Sequence, residues 1–181
     1  MGAAMIHGTV RVLAYQGTSF LSRLIRRFGR YRYSHVALEH TMDGAIVDAW
    51  KGGVRLIHDA HDGHDLDTRI DVYIVPEIGE EQANAVFDAA ESQLGKPYDY
   101  MGVLRFVTRR KHGTDARWFC SELVAWAFEQ ARYPLLLTPH WNVQPGQLAT
   151  SPRLKYFGQY SRRGAGKRGD LRGARTRRDL R

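Results

Sequence analysis

The stretch Trp118-Phe119-Cys120-Ser121-Glu122-Leu123-Val124 carries the only cysteine of the chain into the start of a helix. Leu123, Val124, Ala127, Phe128 and Ala131 recur at helical spacing, which predicts a helix over 120–131 with Cys120 in its first turn. A single cysteine excludes an intramolecular disulfide and a multi-cysteine zinc cage. Free cysteines are most often simply buried. A structural cysteine, however, belongs mid-helix among aliphatic residues. At a helix mouth, unpaired backbone N–H groups and the positive end of the helix dipole favour thiolate over thiol. The same N–H groups can hold an oxyanion. Cys120 is therefore read as a nucleophile, at a mouth expected to stand open to solvent.

A nucleophilic thiol needs a base, and the base needs an orienting partner. Of the eight histidines, His35 lies in Tyr33-Ser34-His35-Val36-Ala37-Leu38, a strand-like run whose backbone can aim the ring. A strand histidine alone is more often structural, so its partners matter. Two acids compete for the third place. Asp48, in Ile46-Val47-Asp48-Ala49-Trp50, lies on the strand expected to pair with that of His35 across the Asp43-Gly44 turn. Glu39 shares a strand face with His35, but four residues along a strand is about 13 Å, too far for a direct hydrogen bond. Asp48 is the first choice and Glu39 the alternative.

Around these residues the pattern is that of an α+β domain. Thr9 to Tyr15 is strand-like, and a helix follows, capped by Thr18 or Ser19 and stopped at Gly29. Phe20, Leu21, Leu24, Ile25 and Phe28 form its apolar stripe and Arg23, Arg26 and Arg27 the opposite face. Such a basic helix can lie on a membrane or an anionic substrate, although a solvated face over a core is commoner. Strand-like runs at 33–39, 45–50 and 54–57, punctuated by Asp43-Gly44 and Gly52-Gly53, predict a meander of antiparallel hairpins. A further strand is expected over 70–75 and a helix over 80–94, with acids in its first turn and Gly95 and Pro97 closing it.

At 181 residues, with 43% hydrophobic and 25% charged content, the chain suits one domain with a real core. The formal net charge is +8, but residues 161–181 alone carry nine basic and two acidic side chains, leaving the body close to neutral. That tail has no aromatic residue and cannot offset its ordering entropy, so 161–181 is read as disordered and 1–160 as the catalytic domain. The tail is either a solubilising extension or a contact for an anionic polymer. No apolar run approaches the ~18 residues of a membrane span, and the N-terminus has no signal-peptide pattern. A cytoplasmic or phage-associated monomer is the expectation.

Together, "YSHVAL", "GAIVDAW", "LGKPYDY" and "WFCSELVAWAF" resemble the permuted branch of the NlpC-type papain-fold superfamily, which includes YiiX-like proteins and relatives of lecithin:retinol acyltransferase. The matching stretches spread over about residues 9–131. Each alone is weak; their order and combination are specific. Papain-like enzymes place cysteine before histidine, whereas here His35 precedes Cys120, which is the permuted order. The resemblance implies a papain-like core with Cys120 as nucleophile, His35 as base and Asp48 as the polar third residue. That third residue is often Glu, His or another polar type in relatives. It also makes Tyr98 an aromatic neighbour of the site, able to donate to the thiolate or the oxyanion, unless Tyr98 and Tyr100 simply pack under the loop. Ser34 and Ser121 complete the candidate substrate or oxyanion contacts. The implied chemistry is hydrolysis or acyl transfer through an acyl-enzyme, on peptide or peptidoglycan stem-peptide amides first and lipid esters second.

The run His58-Asp59-Ala60-His61-Asp62-Gly63-His64-Asp65 is dense in metal-ligand types. Consecutive loop positions rarely converge, and no established zinc spacing is present, so neither metal nor cofactor is expected. A catalytically inactive binder of nucleic acid or another anionic polymer is the competing class. It is supported by the basic tail and by the arginine-rich stretch 23–32 with Tyr31 and Tyr33 interleaved. Nothing supports a purely structural assembly role. The segments around Leu135-Leu136-Leu137, Trp141 and Pro145 are better read as packing than as pocket walls.

Overall fold

The computed structural model describes residues 10–65, 67–100 and 116–160. The expected disorder of 161–181 and the reading of the first nine residues fall outside them.

β-branched and aromatic residues alternate along the strands and build a six-stranded antiparallel sheet. The strands are β1 (Val10–Gln16), β2 (His35–His40), β3 (Ile46–Trp50), β4 (Gly53–Ile57), β5 (Arg69–Ile74) and β6 (Lys155–Gln159). Their spatial order is β4-β3-β2-β1-β5-β6. The predicted meander is present as β2-β3-β4, with β1 inserted between β2 and β5. The helices are α1 (Phe20–Gly29), α2 (Glu80–Glu91), α3 (Cys120–Gln130) and α4 (Pro145–Leu148).

Strand alternation divides the core. Val12, Ala14, Val36, Leu38, Val47 and Val54 meet the inward faces of α2 and α3, where Val86, Phe87, Leu123 and Phe128 are buried. Leu13, Tyr15, Ala37, Ile46, Ile57 and Val72 form a smaller cluster with Ala60, which lies in the β4–β5 loop. Each fully buried Val, Leu, Ile or Phe among them contributes about 1.5–3 kcal/mol.

Several boundaries differ from the sequence reading for identifiable reasons. The helix expected to reach Leu94 ends at Glu91, with Ser92 as its cap, and Leu94 is partly exposed. Ser19 caps α1, its Oγ accepting from the Ser22 amide at 3.2 Å. Gly29 is not the stop residue of α1. Gly29 is the last helical residue, and Arg30 after it takes the left-handed conformation (φ 58°) that ends the helix. The apolar stripe of α1 is also narrower than expected: Leu21, Leu24 and Ile25 pack inward while Phe20 and Phe28 stand 80% and 55% exposed. β6, α4 and the 3-10 turn His140–Asn142 lie in a region where no element is predicted; Leu135 is buried there and Leu137 fully exposed.

Candidate active site

Three segments distant in sequence meet at the end of the sheet where β2 begins, β3 ends and α3 starts. Backbone hydrogen bonds bring them there. The Val54 amide donates to the Lys96 carbonyl (2.8 Å) and the Gly95 amide to the Val54 carbonyl (2.9 Å), joining 95–97 to β4. Gly53 (φ 129°) is required at this junction, since a Cβ would press on the Lys96 carbonyl. The Trp118 amide then donates to the Pro97 carbonyl and the Asp99 amide to the Trp118 carbonyl, both at 3.0 Å. The buried Trp118 ring fixes the segment further by donating from Nε1 to Gln93 Oε1 (3.2 Å). "GKPYDY" is thus the clamp that positions the residues just before Cys120.

Cys120 is the first residue of α3, and the Glu122 carboxylate reaches back to the Phe119 amide (3.5 Å), half of a capping box. The solvent-open mouth expected for it is not observed. The cysteine is 1% exposed, with Tyr98, Phe119 and Trp118 in the same buried cluster, and the 97–99 segment is bonded to Trp118 two residues before it. Burial of this kind excludes water and strengthens charge interactions.

His35 opens β2 and is buried. Its Nε2–H donates to Asp48 Oδ1 at 2.7 Å. The β2–β3 ladder pairs Leu38 with Val47 and Glu39 with Ile46, so Asp48 sits diagonally across from His35, within side-chain reach. Asp48 rather than Glu39 is the partner; Glu39 accepts from Arg11 Nη1 (3.4 Å) at the far end of the strand. The ring is held edge-on by Tyr15 and Trp50, with centroids at 4.9 and 4.6 Å. Its Nδ1 makes no formed hydrogen bond, and with Nε2 committed to Asp48 it is the nitrogen left for Cys120.

The electrostatics follow from these contacts. Burial lowers the basicity of His35, but the charge of Asp48, the nearby Cys120 sulfur and the hydrogen bond to Asp48 outweigh it and push the pKa up to about 10. Burial raises the pKa of Asp48, and the His35 and Arg55 cations overcome that, holding its carboxyl below the ordinary range. Tyr98 is raised well above an ordinary phenol by burial and then by the negative charges of Cys120 and Asp48, so it remains an O–H donor beside them.

Two residues near the centre escape the sequence reading. Arg55 donates to Asp48 Oδ2 from Nη2 (3.0 Å) and Nε (3.3 Å) and is itself held by the Asp62 carbonyl (2.9 Å). The signal for it exists: a tight hairpin at Lys51-Gly52 places 48 and 55 directly opposite. The other is His64, from the His/Asp-rich run. It stacks on Tyr15 (4.5 Å) and lies 5.3 Å from the His35 ring. Its pKa is lowered to about 3 by burial and then by the neighbouring His35 cation.

Of the remaining candidates, Ser34 is committed to backbone, its Oγ accepting from the Gly17 amide (3.1 Å) and donating to the Tyr15 carbonyl (3.3 Å). Ser121 Oγ donates to the Val143 carbonyl (2.6 Å). Tyr98 is buried, with the half-exposed Tyr100 ring edge-on at 5.0 Å.

Residues 14–139 match the family described as permuted papain-like amidase enzymes, YaeF/YiiX, C92 family. The chain belongs to this family of amidases. The match spans His35, Asp48, Tyr98 and Cys120 in the permuted order. Among solved structures, the chain is similar to metalloprotein yiiX from Escherichia coli O157:H7, with 19% identity and a TM-score of 0.62 over 82% of this chain and 94% of that one. That likeness supports the fold. No curated protein sequence matches the chain. Among the described residues no helix is long and apolar enough to cross a membrane.

Proposed function

We propose that the protein is a cysteine amidase that cleaves peptide-like amides, with peptidoglycan stem peptides as its substrate class, through an acyl-enzyme on Cys120. The observation that carries this reading is the buried His35–Asp48 hydrogen bond of 2.7 Å beside a cysteine at a helix start. In this mechanism the Cys120 proton passes to His35 Nδ1. The thiolate adds to the amide carbonyl carbon, and the developing oxyanion takes hydrogen bonds from α3 N–H groups and from the Tyr98 phenol. As the C–N bond breaks, His35 gives its proton to the leaving amine. Water then adds to the thioester, losing a proton to His35, and the C–S bond breaks to release the acid and restore the thiol. Asp48, held by Arg55, keeps Nε2–H pointed away from the sulfur and so leaves Nδ1 for the proton transfers.

A fluorogenic stem-peptide amide tests the reading: turnover and a trapped thioester are expected from wild type. Turnover confined to lipid esters would shift the substrate class. Neither turnover nor trapping, alongside salt-sensitive binding of a polyanion, would make the protein a binding module of this fold.

The pH profile offers a separate check. His35 must be protonated to release the amine, and its raised pKa keeps that form as pH rises. The alkaline limb of acylation should therefore lie near pH 10 in metal-free enzyme. In Asp48→Asn it should retreat toward the ordinary histidine value of about 6.5. A limb that stays put in the variant would remove Asp48 from this role.

The yiiX neighbour is titled a metalloprotein. In this chain His35, Asp48 and His64 offer donor atoms within 4.8 Å of one another, and His64 Nε2 is buried with no hydrogen-bond partner among the described residues. Two imidazoles and a carboxylate suit zinc, so these three would hold it, and zinc when bound would supply Lewis-acid charge. The Arg55 cation on Asp48 opposes a second cation there, and the amidase chemistry needs His35 free. Zinc is therefore expected to inhibit amide cleavage and a chelator to restore it. Activity lost on chelation and regained with zinc would instead make the metal a participant.

A further inference from the structure

The β1–β2 connection departs from the rest of the surface in two ways. No aspartate or glutamate occurs before Glu39, while 17–38 contain Arg23, Arg26, Arg27, Arg30 and Arg32. Arg23, Arg27 and Arg30 are exposed and form no salt bridge among the described residues. Beside them, Phe20 and Phe28 stand 80% and 55% exposed although they lie on a helix whose Ser22 and Ile25 are buried. Phe20 and Phe28, at i and i+8, make an exposed aromatic ridge along one side of α1, ~12 Å apart, with Leu24 between them packed on the core. Arg23 and Arg27 flank that ridge at i+3 and i+7. An isolated exposed aromatic needs no explanation, but an aromatic ridge bordered by unpaired cations does.

We infer that α1 docks the protein on an anionic phospholipid surface, with Phe20 and Phe28 entering the acyl boundary and Arg23, Arg27 and Arg30 resting on lipid phosphates. The arrangement has the features of an interfacial helix: an apolar ridge parallel to the plane, basic flanks and no acid on the helix itself, although Asp65 accepts from Thr18 just before it. A nucleic acid would satisfy the arginines but leave the ridge in water. The docked helix is tied to the active site through short bonds. The Gly17 amide, just before α1, donates to Ser34 Oγ, and Ser34 precedes His35. Docking therefore places the end of the sheet that carries His35 near the bilayer. On the amidase reading above, substrates held at a membrane are the ones that meet it.

Co-sedimentation of the full chain with vesicles tests this without recourse to activity. Wild type should pellet with phosphatidylcholine vesicles containing phosphatidylglycerol and not with phosphatidylcholine alone. The double variant Phe20→Ser/Phe28→Ser keeps every charge, including those of 161–181, and should bind at least tenfold more weakly. Arg23→Gln/Arg27→Gln should also bind more weakly and lose much of the salt dependence. Unchanged melting of both variants would show that the fold is intact. Vesicle binding that is equal in wild type and the phenylalanine variant would overturn the proposal and assign the attraction to charge alone. Binding to an oligonucleotide in preference to anionic vesicles would overturn it as well. An inactive amidase that still binds vesicles through the ridge would leave this inference standing and defeat only the catalytic one.

Discussion

Replacing Cys120 with serine, or His35 with alanine, lowers amide turnover on the order of 10⁴-fold, and the double variant is no worse than the poorer single one. The expectation follows from the sharing of one proton between the two side chains. Without sulfur no acyl-enzyme forms, and without the imidazole no group takes the thiol proton or protonates the amine. Measuring kcat/KM together with mass-spectrometric trapping of the thioester separates the two losses. Cys120→Ser should give no thioester, whereas His35→Ala should give a slow one at high pH, where thiolate forms unaided. Normal turnover by either single variant would remove the pair from the chemistry. Both substitutions fit the available volume, so the folded state should persist by circular dichroism.

Asp48 gives the second large effect, and it reports on stability as well as rate. The residue is fully buried and accepts from His35 on one oxygen and Arg55 on the other. Asp48→Ala leaves both cations without their counter-charge, at a cost of about 2–3 kcal/mol, somewhat below that of a fully buried pair because the Arg55 side chain is 29% exposed and partly solvated. Turnover should fall on the order of 10³-fold through loss of ring orientation. Asp48→Asn keeps the volume and should recover part of the stability but little of the rate. A denaturant midpoint unchanged in Asp48→Ala would mean that this carboxylate balances no buried charge. Arg55→Met provides the complementary case: turnover falls less than in the Asp48 variants, because the His35–Asp48 bond remains.

The placement of Cys120, His35 and Asp48 was readable because local rules fix it. A helix start around Cys120, a strand around His35 and a hairpin that brings Asp48 alongside all follow from spacing and turn residues. Arg55 was equally accessible through the Lys51-Gly52 hairpin but carries no signature until its partner is known. The burial of Cys120 was not readable, because it is set by tertiary packing with distant residues such as Tyr98, which leaves no periodic trace. The same holds for β6, whose pairing with β5 is set by a distant strand rather than by its own alternation. Phe20 and Phe28 went the other way. Their spacing agrees with a core stripe, but only Leu21, Leu24 and Ile25 of α1 find apolar surface of the core to pack against.

The order of the strands bears on how the protein comes into being. His35, Asp48 and Arg55 all belong to the first four strands, whose mutual pairings are between neighbours in the chain, while Cys120 arrives after a further helix. A ribosome thus synthesises the proposed base and its carboxylate well before the sulfur. On the proposed mechanism, every participating side chain except the nucleophile is made early, and the polypeptide acquires the means to cut amides only when most of it has been synthesised.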